Sequence, residues 1–345
     1  MPTPQAEFRR PHPRRRQLFG LTLGLLGGAV LAAGRETIKV EAGDDQTINR
    51  ALAALPDEGG VIVLGRGTFR ISQPVVIDRD EVELRGQGSD TVLLLSPRAN
   101  CPVLVVGSML TPIGRLVRHV TVHHLLIDGN RTEQQFECYG GPCDERNQTG
   151  LRNNGFTIRG AEDIVVEDVV TRRGRSGGLV LEKHCRRVRL NRFEAYENEF
   201  DGVAAYETED SEFSGLNLHH NRSAGFSFDW RFNRNRVSDT VASNNGSQGI
   251  FMRDSIGNLF ERVTLSGNGE QGIFMAETRT LPGTASRYNR FRSVVITGNQ
   301  TQGIRINDRS CNPNTLEDCL VKDNRLEDIS LADFGQLEVL RPRIE

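Results

Sequence analysis

The stretches Asn198-Glu-Phe-Asp-Gly-Val-Ala-Ala-Tyr206, Asn221-Arg-Ser-Ala-Gly-Phe-Ser-Phe-Asp229, Asn245-Gly-Ser-Gln-Gly-Ile-Phe-Met-Arg253 and Asn268-Gly-Glu-Gln-Gly-Ile-Phe-Met-Ala276 share one grammar. An Asn stands four residues before a Gly, and the Gly opens an apolar–any–apolar triplet. The same unit begins at Gly155-Phe-Thr-Ile and Gly178-Leu-Val-Leu, recurs at Asn299 with Gly303-Ile-Arg-Ile, and closes at Asn324 with Asp328-Ile-Ser-Leu. Steps from one unit to the next are 23, 24, 23, 24, 23, 31 and 25 residues, and the long step holds an inserted loop, Leu281 to Tyr288.

Period-two alternation marks strands with one buried face. Each unit carries a second such segment, for example Ile164-Val-Val-Glu-Asp-Val, Val188-Arg-Leu-Asn-Arg-Phe and Phe260-Glu-Arg-Val-Thr-Leu. Short strands joined by tight turns at a constant repeat length make coils of a solenoid. An Asn in the same turn of every coil stacks on its equivalents at about 4.8 Å, where its amide bonds the side chains above and below. The expected architecture is all-β, a right-handed parallel β-helix of about 23 residues per coil. Regular coils are expected over residues 151–333, within one domain spanning 34–345.

Upstream, Asp45-Gln-Thr-Ile-Asn-Arg-Ala-Leu-Ala-Ala-Leu has helical apolar spacing, ended by Pro56 and Gly59-Gly60. A capping region over 38–60 would shield the open end of the core. Short strands follow near Val61–Leu64, Phe69–Ile71, Val75–Ile77, Val82–Leu84, Val92–Leu95, Val103–Val106 and Val120–Ile127. The polar segment 128–150 breaks the rhythm as a long loop able to overhang a groove.

Residues 1–33 read as a twin-arginine export signal: Arg14-Arg15-Arg16-Gln17-Leu18-Phe19 precedes an apolar run to Ala33. That run is short for a membrane span. A periplasmic or secreted location follows as an expectation. The six cysteines suit an oxidising compartment, with local bridges Cys138–Cys143 and Cys311–Cys319 expected and a Cys101–Cys185 pair open. A net charge of −2 and the lack of a basic domain after the leader argue against nucleic acid as a partner. A monomer is expected, with no membrane association once the leader is removed.

With coils in register, equal positions become lateral neighbours. Counted from Gly, positions +1 and +3 point inward, so +2 and +4 face outward. The +4 column reads Arg159, Glu182, Tyr206, Asp229, Arg253, Ala276, Asn307, and the +2 column includes Ser227, Phe251, Phe274 and Arg305. Tyr206, Asp229 and Arg253 should stand side by side, with Lys183 one coil earlier and Asp201 just before its Gly. These five are the catalytic candidates. Glu182, Glu207, Trp230, Phe251, Phe274 and Arg305 are the substrate-binding candidates, with His184 a lesser one. Acids, bases and flat apolar faces in a groove suit a polysaccharide, and an acidic one gives the cations a role. Asp254, Glu277 and Asp308 stack as like charges and are the calcium candidates, although Arg253, Arg305 and Arg309 or solvent are the favoured neutralisers. No cofactor is required. His219 and His220 are expected as surface polar residues.

From about Ile38 onward the coil spacing, Asn column and helical cap resemble the pectate-lyase-like superfamily of right-handed parallel β-helix proteins. Within it, the run from Asn198 through Gly272-Ile-Phe is most similar to the catalytic coils of mannuronan C-5 epimerases. The resemblance implies that Asp229 falls on that family's catalytic Asp. Ala204, Ala205, Tyr206 and Glu207 replace its Asp-Pro-His-Glu motif, so Tyr206 stands for the His and Asp201 for the catalytic Tyr. Polygalacturonases are less similar: Asp201-Gly202 and Gly303-Ile-Arg-Ile echo two of their elements, but Ala224 and Gln248 stand where their paired Asp and Gly-His-Gly would be.

The expected function is lyase or C-5 epimerase chemistry on a uronate polysaccharide. Arg253, with Lys183 in reserve, would neutralise the carboxylate. Tyr206 would serve as base or acid, its pKa lowered by nearby positive charge, and Asp229 would orient or share the proton. An inverting glycoside hydrolase using Asp201 and Asp229 is one alternative. A non-catalytic polysaccharide-binding surface protein is the other.

Overall fold

The computed structural model describes residues 35–135, 151–278 and 284–341; the leader and the Cys138–Cys143 loop lie outside them. The chain winds as a right-handed parallel β-solenoid of about 12 turns. One face is a ten-stranded parallel sheet running from Val75–Ile77 through Leu104–Gly107, Phe156–Arg159, Leu179–Glu182, Val203–Tyr206, Phe226–Asp229, Ile250–Arg253, Ile273–Ala276 and Ile304–Ile306 to Ile329–Leu331. The remaining strands form a second, 21-stranded set around the other sides.

The inward positions fill the core. Phe156 and Ile158, Leu179 and Leu181, Phe226 and Phe228, and Ile304 and Ile306 are all buried. Size compensates between neighbouring coils. Ala205 is in register with Phe228, whose ring stacks on Phe232 with centroids 3.9 Å apart. Burying one such ring is worth about 1.5–3 kcal/mol.

The Asn column forms as expected. The Nδ2 of Asn198, Asn221, Asn245, Asn268 and Asn299 each donates to the Oδ1 of the next, at 2.9–3.0 Å. Each Oδ1 also accepts the preceding Asn's backbone N–H, so the row satisfies turn amides that the strands leave unpaired. The glycines are required by crowding. A Cβ on Gly249 would stand 2.8 Å from the Gly272 carbonyl oxygen. A second ladder, Asn235–Asn258–Asn289–Asn314, runs along another corner and was not read from the sequence.

At the N-terminal end the helix spans Asp45–Ala53, capped by Asp44, whose side chain accepts from Thr47 N–H at 2.9 Å. Ile48, Ala51 and Leu52 join the core. The expected cap also contains a strand, Thr37–Val40, paired with Val61–Leu64. At the other end the winding continues past residue 333, since Leu337–Leu340 pairs with Asn314–Glu317. His219 stacks on Tyr196 and its Nε2 lies 3.1 Å from Glu194, an arrangement of polar corner residues.

The expected Cys311–Cys319 bridge is absent. Cys311, Cys101 and Cys185 are buried free thiols, and Cys319 Sγ lies 3.3 Å from the Phe291 carbonyl. These cysteines act as small core residues, and burial pushes Cys101 and Cys185 up to about 12.

Replacing Asn245 by Ala removes a buried amide that serves Asn221, Asn268 and the Leu218 carbonyl. A loss of about 2–4 kcal/mol is expected in urea denaturation. Asn217→Ala, at an exposed position bonded to Glu194, should stay within about 0.5 kcal/mol of the parent.

Candidate functional site

The outward row of the ten-stranded sheet brings Tyr206, Asp229 and Arg253 onto successive coils. Tyr206 pairs in register with Asp229, and the strand bearing Asp229 pairs with the strand bearing Arg253. Asp229 is buried. Its Oδ2 takes a charge-assisted bond from Arg253, and its Oδ1 accepts from Trp230 N–H at 3.0 Å and Thr278 hydroxyl at 3.3 Å. Burial pushes the Asp229 carboxyl above the usual range, against the pull of Arg253. The Arg253 guanidinium also lies 5.0 Å from the Phe251 ring centre. One coil before Tyr206, Glu182 is held by Arg159 at 2.8 Å.

Asp201 sits beneath this row, 2% exposed. Its carboxylate accepts from Ala224 N–H at 2.9 Å, and the Ser223 and Ser227 hydroxyls favour its charged form. Burial outweighs these influences and pushes Asp201 up to about 6. Tyr206 differs from expectation. Burial, reinforced by the charge of Asp201, raises its pKa, and Arg152 pulls the other way without reversing the shift. The phenol is therefore protonated at neutral pH. Arg152 was missed in the sequence because it belongs to none of the repeating columns.

Other expected residues divide by location. Phe251 and Phe274 stack in register, centroids 5.5 Å apart and 15° from parallel, and Arg305 follows Phe274 in the same row. Trp230 is 46% exposed at the adjoining corner, 6.1 Å from the Tyr206 ring. Lys183 and Glu207 take left-handed backbone at that corner, with φ of +60° and +50°, which turns them off the sheet face. There Glu207 is shared by Lys183 at 3.9 Å, His184 at 3.1 Å and Arg231 at 2.7 Å. Lys183 is thereby separated from the Tyr206 row.

The three stacked acids do not converge. Asp254 accepts from Arg231 N–H at 3.1 Å, Asp308 from Glu277 N–H at 3.0 Å, and Glu277 from the Ser310 hydroxyl at 2.7 Å. Among the described residues no group of three or more His, Cys, Asp or Glu could hold a metal ion. At Asp254 the cations that act on the carboxylate are Arg231 and Arg287, which were not among the expected neutralisers.

A family model described as "Right handed beta helix region" matches residues 178–339. The chain is similar to the A-module of the Azotobacter vinelandii mannuronan C-5 epimerase AlgE4, with 16% identity, 87% of this chain and 96% of that chain covered, and a TM-score of 0.54. The fold is the pectate-lyase-like right-handed parallel β-helix. It is similar also to pectate lyase Pel9A, at 12% identity over 88% of this chain and 80% of that one, with a TM-score of 0.62. The N-terminal fragment of bacteriophage Phi29 gene product 12 matches at 13% identity and TM-score 0.57, covering 87% of this chain and 57% of that one. No curated protein matches in sequence.

A carboxyl whose folded-state pKa lies above its unfolded value binds more protons when folded. Asp201 should therefore cost stability as pH rises from about 4 to about 6. Asp201→Asn should abolish that decline and gain on the order of 2 kcal/mol on the parent at neutral pH. Urea midpoints of both proteins across that range test this; parallel curves would contradict the assignment.

Proposed function

We propose that this protein acts on a uronate-containing polysaccharide laid along the outward face of the ten-stranded sheet, taking the C5 proton by β-elimination or C-5 epimerisation chemistry. The observation carrying the reading is the burial of two carboxyls beside a protonated Tyr206: Asp229 in register with it on the outward strand row, and Asp201 beneath that row. Burying charge costs stability, and such groups cluster where chemistry needs them. Two of the similar structures bear the names mannuronan epimerase and pectate lyase, which supports the substrate class. The leader supports action outside the cytoplasm.

Asp201 and Tyr206 have complementary protonation near neutrality. Asp201, as carboxylate, accepts the proton as the C5–H bond breaks and its electron pair spreads into the uronate carboxylate. In elimination the C4–O4 bond then breaks and the Tyr206 phenol protonates the leaving oxygen. In epimerisation the phenol returns a proton to the opposite face of C5. The Asp229–Arg253 pair orients the phenol and holds its charge balance. Phe251, Phe274 and Trp230 offer flat faces for neighbouring sugar rings, and Arg305 meets a further carboxylate.

Incubation with mannuronate, guluronate and galacturonate polymers in deuterated water, read by NMR, tests the reading. Unsaturated ends or deuterium at C5 are expected, and Tyr206→Phe should lower the rate by about 10²–10⁴. New saturated ends would identify a hydrolase instead. Absence of turnover on every polymer, or full activity in Tyr206→Phe, would reject the assignment.

A further inference from the structure

The acid–base groups need a cation for the substrate carboxylate, and most cations near the groove are engaged. Arg253 is bonded to buried Asp229. Arg159 is bonded to Glu182 at 2.8 Å and to the carbonyls of Ser108 and Leu110 at 3.0 and 2.8 Å. Lys183 sits at the corner with Glu207.

Arg152 differs. Among the described residues its side chain makes no ion pair and no hydrogen bond, and its guanidinium lies 5.5 Å from the centre of the Phe200 ring. That placement is a long reach. Asn153 accepts from Ser176 N–H and Ser176 in turn from Phe200 N–H, each at 3.1 Å, so one whole coil separates Arg152 from Phe200. Stacking on an aromatic face fixes a guanidinium without using its N–H donors. Its charge acts on both Asp201 and Tyr206. Beyond Phe200 lies a cavity of about 440 Å³ lined also by Arg175, Glu199, Arg222 and Ser223, in which Glu199 serves both arginines. On the opposite corners the balance is reversed: Arg187 faces both Glu162 and Asp163, and Arg192 both Glu167 and Asp168.

We propose that Arg152, held on Phe200 with its donors uncommitted, forms the subsite that takes the carboxylate of the uronate unit presented to Asp201 and Tyr206. The proposal rests on the uronate reading above. A planar carboxylate matches the two parallel N–H bonds of a guanidinium, and Lys cannot reproduce that fork.

The test measures binding of tri-uronates (mannuronate, guluronate, galacturonate) and of their carboxyl-reduced, neutral counterparts to the full chain by calorimetry, alongside the deuterium assay. The parent should prefer one acidic trimer over its reduced form by about tenfold to hundredfold. Arg152→Gln should lose that preference while binding the reduced trimer as the parent does. Arg152→Lys should recover only part of the preference, and Arg187→Gln, on a far corner, should keep all of it. Undiminished preference in Arg152→Gln would overturn the proposal, whether or not turnover is seen. A preference lost in that variant, in a parent without turnover, would uphold the subsite and overturn the reaction. No preference in the parent would overturn the subsite, and would leave the reaction standing if C5 exchange is still seen.

Discussion

Each strand in this solenoid finds its backbone partners only along the axis, in the coil before and the coil after. All else depends on that constraint. A coil that gained or lost a residue inside a strand would turn its core face outward, so length changes must be absorbed at corners. The steps of 23 and 24 residues are absorbed there. So is the step of 31: Phe274 still pairs with Arg305 and Leu265 with Ile296, on two different faces, across the same insertion. The Asn rows make this tolerance possible. Each Asn binds the turn amide of the preceding coil, so the corner stays anchored whatever loop leaves it.

The same axial stacking gives the charged residues two different roles. On the far corners, arginines and acids alternate up the axis, as in Arg234 with Glu209 and Asp210 or Arg262 with Asp239. These pairs are exposed, screened by water and worth little individually. They neutralise like charges that the repeat would otherwise stack. On the ten-stranded face the pairing is desolvated. Asp229 is buried beneath a partly exposed Arg253, so removing the arginine would leave a carboxylate that water reaches poorly. Stability alone gives no reason for that expense.

The fold was legible because it is a periodic property. Gly155 through Gly303, their apolar triplets and the Asn row each repeat at one interval, and a repeat survives uncertainty at any single position. The lateral adjacency of Tyr206, Asp229 and Arg253 followed from the same count. What did not follow lies off the period or inside the volume. The Asn235–Asn314 row lacks an accompanying glycine to announce it. Lys183 and Glu207 leave the sheet face because their backbone turns left-handed, which alternation alone does not reveal. Arg152 reaches past a full coil, farther than column counting looks. The direction of the Tyr206 shift depends on burial, which no spacing encodes. The spacing of Cys311 and Cys319 suggested a bridge, whereas their places in the fold are core positions.

Irregularity in the repeat carries the functional information. The position just before each Gly, and before Asp328 in the last coil, reads Asn154, Gly177, Asp201, Ala224, Gln248, Gln271, Gln302 and Glu327. From Gln248 onward each amide donates to the next side chain at 3.3 Å, ending on the Glu327 carboxylate, a ladder like that of the asparagines. Before it the ladder breaks. Gly177 and Ala224 have no group to offer, and Asp201 between them turns to the Ala224 backbone. A chain selected only for stability would extend the glutamines through these coils, since an amide there avoids burying a carboxylate. The interruption coincides with Tyr206, Asp229 and the reach of Arg152. Local rules fail together over these few coils while the backbone register continues through them unchanged, as expected where a scaffold gives up stability for chemistry.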